Sequence, residues 1–228
     1  MLFDAALERI KSFPIPPDWP GSLCLLPEPV MRDLYDTVLA EKRVACLELG
    51  TGFGATSSVL AAAMGETGGR VVTIDIWRHR PVGVDLVAEF VGVQDSLEIV
   101  VEPLGYNWWL ADRIRERSGS GGCAPMFDFC LLDGAHEFEP DALAVVLAAK
   151  LLAPSSTLVL DDLNFRLRDV ASWKEVFKDK SERELDTFQI GMVWDVVVQQ
   201  HPEFGGFRVT HDGRIGWARK NDAGALRR

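Results

Sequence analysis

The stretch "LELGTGFGAT", Leu47 to Thr56, joins the end of an apolar run to the start of a small-residue run. Gly50, Gly52 and Gly54 stand at every second position, shortly after Glu48. A strand that ends in a glycine turn and opens a helix sets free backbone amides and a positive helix end against a ligand. A ligand is therefore expected close to the backbone here, and its identity depends on what surrounds the loop.

Outward from that loop the pattern alternates. "VACLEL" reads as a strand, Ala55 to Met64 as a helix, "RVVTIDI" as a second strand and Asp85 to Val93 as a short helix. "LEIVVE", a helix from Trp108 to Arg117, "FDFCLLD", a helix from Asp141 to Leu152 and "STLVLDD" continue the series. Continuously apolar strands separated by helices signal a parallel sheet covered on both faces. The predicted fold is α/β and doubly wound, with a mostly parallel seven-stranded sheet. The C-terminal end changes period: Leu185, Phe188, Met192, Val193, Val196 and Val197 recur at helical spacing, and "GFRVTHDGRIGWAR" alternates around Asp212-Gly213 as an antiparallel hairpin. "SGSGGCAP" reads as a flexible surface loop.

At the other end, "FPIPPDWPGSLCLLPEP" is dense in proline, which blocks helix continuation. Residues 1–29 are accordingly read as an N-terminal arm and proline-rich linker, 30–220 as the domain proper, starting with an amphipathic segment from Val30 to about Glu41, and 221–228 as a tail. The 228 residues suffice for one domain with a full core. A net charge of −10 argues against nucleic acid or an anionic membrane as main partner, despite the local "RHR" at Arg78 to Arg80, and favours a small-molecule substrate. Four scattered cysteines without a CxxC pair fit neither a zinc site nor a disulfide framework, and no apolar run reaches the length of a membrane span. The N-terminus lacks the apolar core of a signal peptide, so a cytoplasmic location is expected.

"GTGFGA" also satisfies the looser nicotinamide fingerprint, so a dinucleotide stays open on the loop alone. Glu48, placed to pair with a ligand cation, and the terminal hairpin favour another reading. With "ELGTGFG" as first motif, the chain from about Val44 to Arg219 resembles the S-adenosylmethionine-dependent methyltransferases of the Rossmann-like class I fold. The resemblance implies that Gly50, Thr51, Gly52 and Gly54 cradle the methionyl part of S-adenosyl-L-methionine and that Glu48 lies near its ammonium. Asp75, ending "VVTID", sits where a carboxylate accepts ribose hydroxyls, and Ile76 and Trp77 would flank the adenine as residues after this acid do in the family.

Ligands of open parallel sheets bind beyond the carboxyl ends of the strands. Strand four ends in "LLDGAHEFEP" and strand five in "LVLDDLNF", so topology brings Asp133, His136, Asp161 and Asp162 towards one crevice. Oxygen ligands without thiolate suit Mg2+ or a similar divalent cation. This looks like the metal-dependent small-molecule O-methyltransferases, which implies Asp133, Asp161 and Asp162 as metal ligands, Asp133 also beside the cofactor, and Asp133 and His136 as catalytic, with His136 the general base. The chain departs from the catechol-type pattern, which expects an Asp-Asn pair where Asp162-Leu163 stands; Asn164 comes one residue late. Trp19, Tyr106, Trp108, Trp109 and the region of Trp173 are candidates for an acceptor pocket and lid. The resulting expectation is methyl transfer to a hydroxyl of a small molecule. An NAD(P)-dependent oxidoreductase and a non-catalytic protein retaining the fold are the alternatives, and the arm leaves a homo-oligomeric contact open.

Overall fold

Strand β1 (Ala45–Leu49) lies in the middle of the sheet, with four of its five residues buried, because parallel neighbours on both sides satisfy its backbone and helices cover both faces. The computed structural model describes residues 1–17 and 22–222. β2 (Arg70–Asp75) pairs parallel to β1 with Glu48 opposite Thr73, and β3 (Leu97–Val101) pairs parallel to β2 at the edge. On the other side β4 (Phe127–Leu132) and β5 (Leu152–Leu160) follow in parallel, and the antiparallel pair β6 (Phe204–Thr210) and β7 (Ile215–Lys220) completes the order β3-β2-β1-β4-β5-β7-β6. The expected seven-stranded sheet and its terminal hairpin are present. The chain winds outward from β1 in one direction and from β4 in the other, so a crevice opens where the carboxyl ends of these two strands diverge.

Helices α1 (Phe3–Lys11), α2 (Glu28–Ala40), α3 (Ala55–Thr67) and α4 (Val84–Val91) gather on one face. α5 (Tyr106–Arg117), α6 (Phe138–Leu151) and α9 (Gln189–Val193) cover the other. α3 is buried from Ala55 to Met64, which its alanines and serines permit by letting neighbouring helices approach closely. The first helix is part of the domain and not a free arm: Phe3, Ala6, Leu7 and Ile10 recur at helical spacing and are all buried. Leu23 and Leu26 are buried as well, whereas Trp19 lies outside the described residues.

Several boundaries move for local reasons. α6 begins at Phe138, ahead of Asp141, because Pro140 falls in the first turn, where a missing N–H costs nothing. The C-terminal helical pattern divides into α8 (Glu182–Asp186), capped by Ser181 and Glu184, and α9, which runs on as a π-helical turn from Trp194 to Val198. Thr187, extended between them, interrupts the run. α7 (Trp173–Val176) is a single turn on the approach to them. The glycine-serine loop contains a two-residue antiparallel ribbon, Ser118–Gly119 with Gly122–Cys123.

Candidate functional site

The crevice is a cavity of about 470 Å³. Its floor is the glycine loop, whose three glycines serve different ends. Gly50 has φ +94°, and a Cβ there would lie 1.9 Å from the carbonyl oxygen of Asp133, so this glycine lets β1 and β4 meet. Gly54, at φ +92°, makes the turn into α3, and a Cβ there would strike Val84 at 2.6 Å. Gly52 is different: a Cβ would meet only the Leu25 side chain, at 3.5 Å. The space over Gly52 is therefore cavity and not protein.

Glu48 is 1% exposed, lines the cavity from below and accepts a hydrogen bond from the Ser57 hydroxyl. Burial pushes its carboxyl up to about 7, opposed by the bonds from Ser57 and Thr73. Asp75 accepts from the amides of Thr51 and Gly52, both at 3.1 Å, and from Ile76 at 2.7 Å, so one carboxylate fixes the loop from the neighbouring strand end. The Thr51 hydroxyl pairs with that of Thr73 at 2.6 Å.

All the residues expected to hold the cofactor line this cavity except Trp77. Trp77 is 57% exposed, turned outward with its indole N–H donating to His79. His79 takes the place on the wall, its ring 4.8 Å from that of Phe53. Among the described aromatic candidates for the acceptor pocket, only Tyr106 reaches it. On α5, Tyr106, Trp109 and Leu110 share the inward face, so Trp109 packs in the core against Phe127 while Trp108 is exposed. Trp173 carries Arg168 and Lys174 over its ring and does not line the cavity, which is walled here by Phe165 and Val170 instead.

Across from the glycine loop, Asp133, His136 and Asp162 converge: one ligand atom of each lies within 4.8 Å of the others. His136 Nδ1 is 3.4 Å from Asp162 Oδ2. Both residues hold left-handed backbone, φ +57° and +62°, unusual for residues with a side chain and a sign that the surrounding structure imposes the turn. Burial, with Asp161, Asp162 and Glu48 nearby, raises the Asp133 carboxyl well above its ordinary range, and burial with Asp161 raises Asp162.

Asp161 does not join them. Its side chain is fully buried and both of its oxygens receive Arg214, from Nε and Nη2 at 2.6 Å each. The expected trio of aspartates does not converge as a trio: the groups close enough to share one ion are Asp133, Asp162 and His136. Nη2 of Arg214 also approaches Asp162 at 3.1 Å, so this guanidinium is the fixed countercharge of the strand-five end. Arg214 sits in the hairpin turn, where the amide of Leu163 donates to its carbonyl at 2.9 Å. Only the pairing of β5 with β7 brings it here, a long-range feature with no local signal in sequence.

Among solved structures, the chain is similar to TomG, an O-methyltransferase of Streptomyces achromogenes involved in tomaymycin synthesis and solved with S-adenosylmethionine (20% identity, 96% of this chain, 89% of that one, TM-score 0.60). It is similar also to the S-adenosylhomocysteine-bound methyltransferase PaMTH1 of Podospora anserina (16%, 96% and 88%, TM-score 0.64). A third likeness is to an O-methyltransferase of Bacillus cereus in complex with S-adenosylhomocysteine (16%, 95% and 86%, TM-score 0.56). At these identities the likeness establishes the shared fold. A search of curated proteins finds no match. A family profile described as a methyltransferase domain matches residues 47–163, from the second half of β1 to just beyond β5. That span is just over half of the chain and carries most of the cavity floor and the convergent acids, and by it the protein belongs to the methyltransferase domain family.

Proposed function

We propose that the protein transfers a methyl group from S-adenosylmethionine to a hydroxyl oxygen of a small-molecule acceptor. One observation carries this reading: a single cavity has a buried carboxylate, Glu48, beside an open glycine loop, and a proton-accepting pair, His136 with Asp162, on its opposite wall. A nicotinamide cofactor would explain the loop and Asp75 but would leave Glu48 without a cationic partner.

S-adenosylmethionine supplies an electrophilic methyl on a sulfonium. The residues present fit it: the open space over Gly52 admits the methionyl chain, Glu48 accepts from its ammonium, and Asp75 has lone pairs left for ribose hydroxyls. Methyl transfer needs the acceptor oxygen aligned behind the methyl, so positioning supplies much of the rate. His136 takes the acceptor proton, and Asp162 orients the imidazole and stabilises its charged form. Phe165, with its ring 5.4 Å from that of His136, and Val170 offer an apolar wall for the rest of the acceptor.

The same cluster favours a second reading. Asp133, Asp162 and His136 form a donor set that a divalent cation accepts, and such a cation would supply Lewis acidity that lowers the hydroxyl pKa. With an imidazole replacing Asp161, that set suits Mn2+ or another transition metal better than Mg2+. The two uses of His136 exclude each other, and chelation separates them. Turnover that survives EDTA but falls about 10² to 10⁴-fold in His136→Ala supports the base. Loss in EDTA with recovery on Mn2+ supports the cation, and indifference to both treatments contradicts each.

Four free cysteines, and no helix among the described residues long and apolar enough to cross a membrane, support a reducing cytoplasmic setting. The acidic net charge supports a small-molecule acceptor over nucleic acid.

A further inference from the structure

Asp141 is the least expected polar residue in the molecule. It lies in the first turn of α6, is 0% exposed, and its Oδ2 has no hydrogen-bond partner among the described residues. A buried carboxylate is costly unless its oxygens are paired or hydrogen-bonded, so one retained with an oxygen unpartnered calls for a reason. Helix polarity does not account for it, since Glu139 already supplies an exposed negative charge in the same turn. Its surroundings point elsewhere. Oδ1 accepts from the Tyr106 hydroxyl, and that hydroxyl in turn accepts from the amide of Ala135 at 3.3 Å. The Tyr106 ring lies where a Cβ on Gly134 would fall, at 2.8 Å, so Tyr106 is pressed against the turn from Asp133 to His136. Burial raises the Asp141 carboxyl, and the Tyr106 hydroxyl, then the His136 side chain and the Ala135 and His136 amides, oppose that rise.

We infer that Asp141 is a positioning residue: with Tyr106 it clamps the Gly134–His136 turn, whose last residue holds left-handed backbone, and so aims the His136 imidazole at Asp162 and the cavity. The inference rests on the proposed role of His136 in methyl transfer, but its structural half stands apart from it. Asp141 touches neither cofactor nor acceptor and acts only through the turn. A β4–α6 turn without this clamp would relax towards ordinary backbone, taking the imidazole out of line.

The test combines a double-mutant cycle with hydrogen exchange. Asp141→Asn keeps size and one acceptor oxygen; Tyr106→Phe removes the bridging hydroxyl and guards against a folding defect in the first variant. Each is expected to lower kcat by about 10- to 100-fold, the range for groups that orient a catalytic ligand, with little change in KM for S-adenosylmethionine. In a His136→Ala background the same changes should add less than about 2-fold, because residues acting as one unit are not additive. Amide exchange in a peptide spanning residues 133–138 should speed up in both variants. An equal loss of kcat in both backgrounds would show a general structural role and overturn the inference. If His136→Ala turns over like wild type, the functional reading falls, and exchange alone decides the clamp: unchanged protection of the turn overturns it too.

Discussion

Gly50 and Gly52 sit two residues apart in one loop and predict opposite outcomes. A side chain at Gly50 meets the backbone of Asp133, so Gly50→Ala should prevent folding or lower the melting temperature steeply. Gly52→Val faces open space; its positive φ costs about 1–2 kcal/mol, so the protein should fold yet lose calorimetrically detectable S-adenosylhomocysteine binding. Folded Gly52→Val with wild-type affinity would place the ligand elsewhere. Glu48 offers a pH test. Its carboxyl holds a proton up to about 7 in the folded chain, against 4.5 ordinarily, so between these values the folded state binds more protons than the unfolded one. The contribution of Glu48 to stability therefore falls as pH rises through that window, by about 3 kcal/mol in all. Urea unfolding of ligand-free Glu48→Gln should lack this fall, gaining on wild type between pH 5 and 8; parallel profiles would remove the buried-carboxylate argument. At this scale the glycines and Glu48 were legible because their residue types are demanded by the loop. That Gly50 and Gly54 are demanded by packing was not, since that depends on Asp133 and Val84 approaching from distant segments.

Among the elements, the end of β5 depends on the hairpin that follows it. Arg214→Met leaves the fully buried Asp161 without a partner, and should destabilise the protein by about 3–5 kcal/mol, read as a lower denaturant midpoint. A loss below about 1 kcal/mol, the value of an exposed pair, would mean that Asp161 is solvated in solution. The convergence of Asp133, His136 and Asp162 was legible, because a parallel order sends those strand ends to one side. The defection of Asp161 was not: its partner stands 53 positions later and is brought in only by antiparallel pairing. Asn164, one residue late for a ligand, instead donates to the Asp212 carbonyl at 3.2 Å and ties the hairpin turn to the strand end. Aromatic content misled for a simpler reason. On α5 it is helical phase that decides which rings face the sheet, and Trp109 has the inward phase that Trp108 lacks.

Over the whole molecule, alternation of apolar strands with helices was enough to give a doubly wound, mostly parallel sheet, and the change to period two at the end gave the hairpin. The proline-rich segment concealed that α1 is part of the core, although its spacing of Phe3, Ala6, Leu7 and Ile10 carries the signal. That helix packs on α3, the helix opened by the glycine loop, and Leu25 then passes over Gly52, so the chain start helps to enclose the cavity. The cavity enclosed in this way is the proposed S-adenosylmethionine site. Calorimetric titration of wild type and Asp75→Ala with S-adenosylhomocysteine, and separately with NAD, tests it most directly. Saturable 1:1 binding of S-adenosylhomocysteine is expected, weakened in Asp75→Ala by about 1.5–3 kcal/mol as for hydrogen bonds to a charged group, with no binding of NAD. Binding of NAD with none of S-adenosylhomocysteine, or equal S-adenosylhomocysteine affinity in both proteins, would contradict it.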